Sequence, residues 1–89
     1  MINQQAAVVH RVNETLLEHD NDIDSSKKMS EFGYERESMR LFLRAVRKKL
    51  SRDGYTFEFD PDDTDFLDGC LGGTSSDLKL LINQNTKAA

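Results

Sequence analysis

The sequence predicts a mainly α protein, a small helical bundle built on one central amphipathic helix over about 34–52, with a possible short strand at 55–59. Three observations carry this. Read as helix, the stretch 30–54 (SEFGYERESMRLFLRAVRKKLSRDG) sets Phe32, Met39, Leu43, Val46 and Leu50 within about 40° of one line, with Phe42 at the edge of the stripe. The segment before it carries apolar residues at a helical period, and the segment after it offers one run, Tyr55, Phe57 and Phe59, with the alternation of a half-buried strand.

Taken in order, Ile2, Val9, Leu16 and Ile23 recur every seven residues, with Gln5, Val12 and His19 between them. Ala6, Val8 and Leu17 widen this apolar face, which suits a bundle better than a two-stranded seam. The first helix is therefore expected to lie against the central one, with a dimer or partner seam as the alternative. Asp20, Asn21 and Asp22, followed by Ser25 and Ser26, compete for their own backbone and predict the turn between the two helices; Ser25, Ser26 or Ser30 could cap the central helix. Gly33 costs a helix about 1 kcal/mol relative to alanine, so the regular part is expected from Tyr34 or Glu35. Glu31, Glu35 and Glu37 fall in the first turns and Arg47, Lys48, Lys49 and Arg52 in the last, opposing the backbone dipole at both ends, and Asp53-Gly54 supplies the stop.

Beyond the strand, Asp60-Pro61 reads as a cap and first position of a third helix with Phe66, Leu67, Cys70 and Leu71 on one face, ended by Gly72-Gly73. Thr74 and Asp77 have the spacing of a capping box ahead of Leu78, Leu81 and Ile82, which predicts a last helix. Leu78, Leu80 and Ile82 also alternate, so a strand over 77–83 pairing with 55–59 is the rival. The tail 85–89 is expected to be loose.

The 89 residues are read as one domain, 1–89, whose core must be thin: 37% are hydrophobic and 31% charged. Such a chain is expected to complete its core as a homodimer. The net charge of −4 argues against a general binder of nucleic acid or anionic membrane. A single cysteine, Cys70, leaves no internal disulfide, and no stretch is apolar enough to span a membrane or to act as a secretory leader, so a cytoplasmic location is expected.

Little in the chain points to chemistry. His10 and His19 lie nine residues apart on one helix, too far to serve one site, and Cys70 follows Asp68 and Gly69, with no basic neighbour to activate its thiol. Cys70 is expected to be buried and inert. The acidic run from Asp60 fails as a calcium loop, because Asp65 stands where the sixth-position glycine is needed and Leu71 where the closing glutamate belongs. One cysteine and two separated histidines do not make a zinc site. No catalytic residue, metal or cofactor is therefore expected.

What remains is charge. Residues 30–54 carry 7 basic and 4 acidic side chains, net +3, while residues 55–89 carry 2 and 7, net −5. Arg36, Arg40, Arg44 and Lys48, four residues apart, form one basic ridge of the central helix with Arg47 beside it and Glu37 as the only local i,i+3 partner, of Arg40. Either the acidic segment folds back on the ridge or the ridge takes an anionic partner. Tyr34, Leu41 and Ala45 form a second apolar strip on the far side of the helix, expected to be sandwiched between elements, with Leu41 covered in the assembled form.

These features predict a non-enzymatic, homodimeric interaction protein, a small regulator, adaptor or inhibitor that binds another protein through Arg36, Arg40, Arg44 and Lys48, with Leu41 as apolar anchor. Size alone associates such chains with mobile elements. The alternatives are a nucleic-acid-binding regulator using the same ridge, and a nucleic-acid mimic in which Glu58, Asp60, Asp62, Asp63, Asp65 and Asp68 occupy a partner's basic groove.

Overall fold

The structure, a computed structural model, describes residues 3–19, 24 and 26–89. Helix α1 (Gln4–Glu18) is followed by a 3-10 turn (Met29–Phe32), then α2 (Arg36–Arg52), strand β1 (Tyr55–Phe57), α3 (Thr64–Leu71), α4 (Ser75–Gln84) and strand β2 (Thr86–Ala88). It is a small helical bundle with a two-stranded sheet, and α2 is its axis: α1, α3 and β1 all pack on it.

The central helix arises from its stripe. Met39, Phe42, Leu43, Val46 and Leu50 are fully buried. Helix α2 starts one or two residues later than expected, because Gly33 takes a left-handed φ of 86° and Glu35 is extended, its N–H donating to Ser38 Oγ at 2.8 Å. Phe32 consequently leaves the helical stripe for the 3-10 turn and packs on the core from there, and Glu31 goes with it. At the far end Asp53 caps the helix and Gly54, at φ 91°, reverses the chain into β1.

Asn3 opens α1 by accepting from the Ala6 N–H at 2.7 Å. Ala7, Val8, Val12, Thr15 and Leu16 are its buried positions, whereas Val9 is only half-buried. That is the face of a bundle helix held between α2 and α4 rather than a seven-residue seam; Ala7 and Val8 widen it, while Ala6 and Leu17, expected on it, are exposed. Ile2 and Ile23, the ends of the heptad series, lie outside the described residues, as do residues 20–22 and Ser25 of the expected turn.

Two expectations for the second half are corrected. Asp60-Pro61 does not open α3: the Asp60 carboxylate accepts from Asp62 N–H and its carbonyl from Asp63 N–H, closing a turn over buried Pro61, and Asp63 is the cap, accepting from Asp65 N–H at 2.9 Å. The tail is not loose either. β2 pairs antiparallel with β1 (Tyr55↔Ala88, Thr56↔Lys87, Phe57↔Thr86), and Thr86 is buried.

Between them, the stretch 77–83 is helical. Thr74 and Asp77 form the reciprocal capping box, and Leu78 and Ile82 are buried while Leu80, which a strand would have turned to the same side, stays 55% exposed. Gly73 admits no side chain before this helix, since a Cβ would stand 2.8 Å from that of Asp77; its carbonyl accepts from Met29 N–H, tying the 3-10 turn to the α3–α4 link. Tyr55, Phe57, Phe59 and Phe66 line the edge of the core, Phe59 stacked on Phe57 and on Phe66 at centroid distances of 4.4 and 3.9 Å.

Candidate interaction surface on helix α2

A helix buried along one stripe presents the opposite stripe outward, and on α2 that stripe runs Glu37, Leu41, Arg44, Lys48 and Arg52. Of the ridge expected from the sequence, Arg36, Arg40 and Arg44 are neutralised and Lys48 has no ion pair among the described residues. Arg36 forks onto Asp68 of α3 (Nε to Oδ1 2.9 Å, Nη2 to Oδ2 2.7 Å). Arg44 donates to Asp62 in the turn before α3, and Arg40 lies between Asp62 and Glu37. Arg40 Nε is 2.9 Å from Asp62 Oδ1, but its N–H is not aimed at that oxygen, so the contact is an ion pair rather than a hydrogen bond. The acidic segment has thus folded back on the ridge, as far as Arg44. Lys48, Arg47 and Arg52 are exposed and form no ion pair with the described residues.

Leu41 sits among these charges with 53% of its surface exposed. The second apolar strip is therefore not sandwiched within the chain: Tyr34 is buried and Ala45 half-buried, but Leu41 is open. The reason is geometric. Tyr34 precedes α2 and turns inward, edge-on to Phe42 at 5.9 Å, while α1 and the turn at 60–63 flank α2 without covering it. Of the six expected mimic carboxylates, Asp62 and Asp68 hold arginines, Asp60 and Asp63 accept backbone amides, Glu58 lies 3.8 Å from Lys87, and Asp65 adds to the field on Arg36.

Sequence reasoning missed the clamp between α1 and the end of α2. Arg11 donates to both oxygens of Asp53 (2.7 and 2.6 Å) and to Glu14, and buried Thr15 receives Lys49 Nζ at 2.9 Å, the ammonium being held also by Glu18. Its one trace in the sequence is Arg11, the single lysine or arginine of α1, set i,i+3 from Glu14. The Arg11 hydrogen bonds hold the Asp53 carboxyl below its usual range, and Arg36 does the same to Asp68. A lowered carboxyl pKa stabilises the fold fully above the unfolded value, about 4, and the contribution fades as pH falls through the lower folded value. Accordingly, Asp53→Asn lowers the urea midpoint at neutral pH and shrinks its further drop on acidification to about pH 3; an unchanged acid slope would show that the clamp contributes nothing.

A cleft of about 500 Å³ lies beside this clamp, lined by Ala7, His10, Arg11, Asp53, Gly54, Tyr55 and Ala88. His10 there faces Glu14 at 3.6 Å, and His19, at the other end of α1, stacks on Tyr34 and meets Phe42 edge-on, so the two histidines do not meet. Cys70 is fully buried, and desolvation pushes its thiol up to about 12. Native protein therefore leaves a thiol reagent unreacted on the time scale in which the urea-unfolded chain is fully labelled; comparable rates would mean that α3 is not docked. Among the described residues no group of three or more His, Cys, Asp or Glu is arranged to hold a metal ion, and no helix is long and apolar enough to cross a membrane. Compared with protein-family models, curated proteins and solved structures, the chain matches none of them.

Proposed function

We propose that this is a non-enzymatic interaction protein, a regulator, adaptor or inhibitor that acts by binding protein through the outward face of α2. One observation carries this: Leu41, an open leucine directly opposite the core stripe, stands within about two turns of Arg44 and Lys48, with Arg52 a turn further along the same face. An apolar anchor ringed by charge is the anatomy of a protein interface, in which the buried anchor supplies affinity and the rim supplies selection. Arg44 and Lys48 remain in the proposed contact set; Arg36 and Arg40, committed to Asp68 and Asp62, frame it. The thin core and further open leucines, Leu17 and Leu80, favour a homodimer as the working assembly.

A photoreactive amino acid in place of Leu41, introduced in the source cell, is expected to give discrete protein adducts that Lys48→Glu weakens. Absence of protein adducts would remove the proposal. Micromolar binding of duplex DNA that falls steeply with salt would replace it by nucleic-acid recognition through Arg47, Lys48 and Arg52. The acidic-mimic alternative draws less support, since Asp62 and Asp68 are committed within the chain.

A further inference from the structure

Resting on the reading of the α2 face as a protein interface, we infer that its occupant is a second copy of this chain, docked antiparallel on the same face. The face is self-complementary about the midpoint between Arg44 and Ala45. Positions 37 and 52, 41 and 48, and 44 and 45 are equidistant from that point, so a two-fold axis there sets Glu37 against the partner's Arg52, Leu41 against the partner's Lys48, and Arg44 against the partner's Ala45.

Each pairing suits the groups present. Glu37 gives one oxygen to Arg40 but keeps 71% of its side chain exposed, and Arg52 forms no ion pair with the described residues. Lys48 can lay its methylene stem over Leu41 while its ammonium stays in water. Ala45 is the small residue that lets two helices approach at the axis, and Arg44, neutralised by Asp62, brings no uncompensated charge there. Positions 37 to 52 span about 22 Å along the helix, enough for four turns of contact. A phosphate backbone suits the face less well. Glu37 stands on it and Asp62 and Asp68 edge it, so an all-negative ligand meets repulsion where a second copy meets its own opposite.

Charge reversal tests the register. By analytical ultracentrifugation at low salt, the protein is expected to double its mass with concentration. Glu37→Arg and Arg52→Glu should each raise the dissociation constant at least about tenfold, because each places like charges together twice. An equimolar mixture of the two variants is expected to regain the original affinity, since every reversed position then meets its opposite. Circular dichroism checks that both variants keep the helical fold, as exposed surface substitutions should. A monomer at all concentrations, a dimer that neither reversal weakens, or a mixture that stays dissociated overturns the inference. If the chain is monomeric yet a photoreactive group at position 41 captures a different protein, the second copy is excluded and the interface stands; if neither occurs, both fall.

Discussion

Phe42→Ala is expected to leave most of the chain unfolded at physiological temperature. Phe42 is fully buried on α2 and holds two rings edge-on, Tyr34 at 5.9 Å and His19 at 5.7 Å, so one side chain joins the central helix to the end of α1 and to the segment entering α2. Removing a buried phenylalanine costs about 3–5 kcal/mol in lost burial and in the cavity left behind. A domain of this size has roughly 4–13 kcal/mol in total, at about 0.05–0.15 kcal/mol per residue, and its thin core places it low in that range. The cost is a large fraction of the whole. Urea unfolding followed by far-ultraviolet circular dichroism should show the native baseline shortened or absent; a midpoint close to that of the parent would mean that α2 does not organise the core.

Deletion of residues 85–89 should destabilise the fold by about 3 kcal/mol, a sum of several net hydrogen-bond contributions near 1 kcal/mol each that need not add strictly. The lost contacts are specific. Thr86 Oγ1 donates to Ile82 carbonyl at 2.7 Å, Gln4 Nε2 to Thr86 carbonyl at 2.8 Å, Glu58 N–H to Asn85 carbonyl at 2.7 Å and Ala89 N–H to Gly54 carbonyl at 2.8 Å. They tie the tail to α4, to Gln4 of α1 and to the residues flanking β1, and their removal leaves β1 without its partner strand. The urea midpoint is expected to fall with the helical signal largely retained at zero denaturant, whereas superimposable curves would show the tail to be the loose end that its composition suggests.

That tail shows where sequence reading stops. The buried stripe of α2 was legible because five apolar side chains at helical spacing leave one way to satisfy both the period and the solvent. The capping box at Thr74 and Asp77 was legible for a similar reason, since both signals are local. Thr86-Lys87-Ala88 carries no such pattern: three residues without alternating apolar groups become a strand only because β1 offers an unpaired edge nearby, a tertiary fact. Asp60-Pro61 misled because proline fits the first position of a helix and a tight turn equally well, and it is Asp63, three residues on, whose carboxylate caps α3. The basic ridge was legible as a row, but its partition was not. Which cations meet Asp62 and Asp68 depends on how α3 crosses α2, and the Arg11–Asp53 clamp joins residues that no spacing rule connects.

The open face of α2 is a tertiary fact too. Leu41 lies on the helix at a position whose exposure no local signal decides; it becomes informative only when the fold leaves it open on the same face as Lys48, a cation that the acidic segment does not reach. An apolar residue so placed costs solubility and contributes nothing to the monomer's core, which is why the proposed interface centres on it rather than on Arg36 and Arg40.

Helix α2 is covered along one side and open along the other. In a Cys70→Ala background, single cysteines at positions 39, 43 and 46 and at 41, 48 and 52 should separate into two classes under a maleimide reagent in dilute solution. The first three are expected to react only as fast as the protein unfolds, and the second three at nearly the rate of a free thiol. Equal reactivity across all six positions, or protection of 41, 48 and 52 with labelling at 39, 43 and 46, would contradict it.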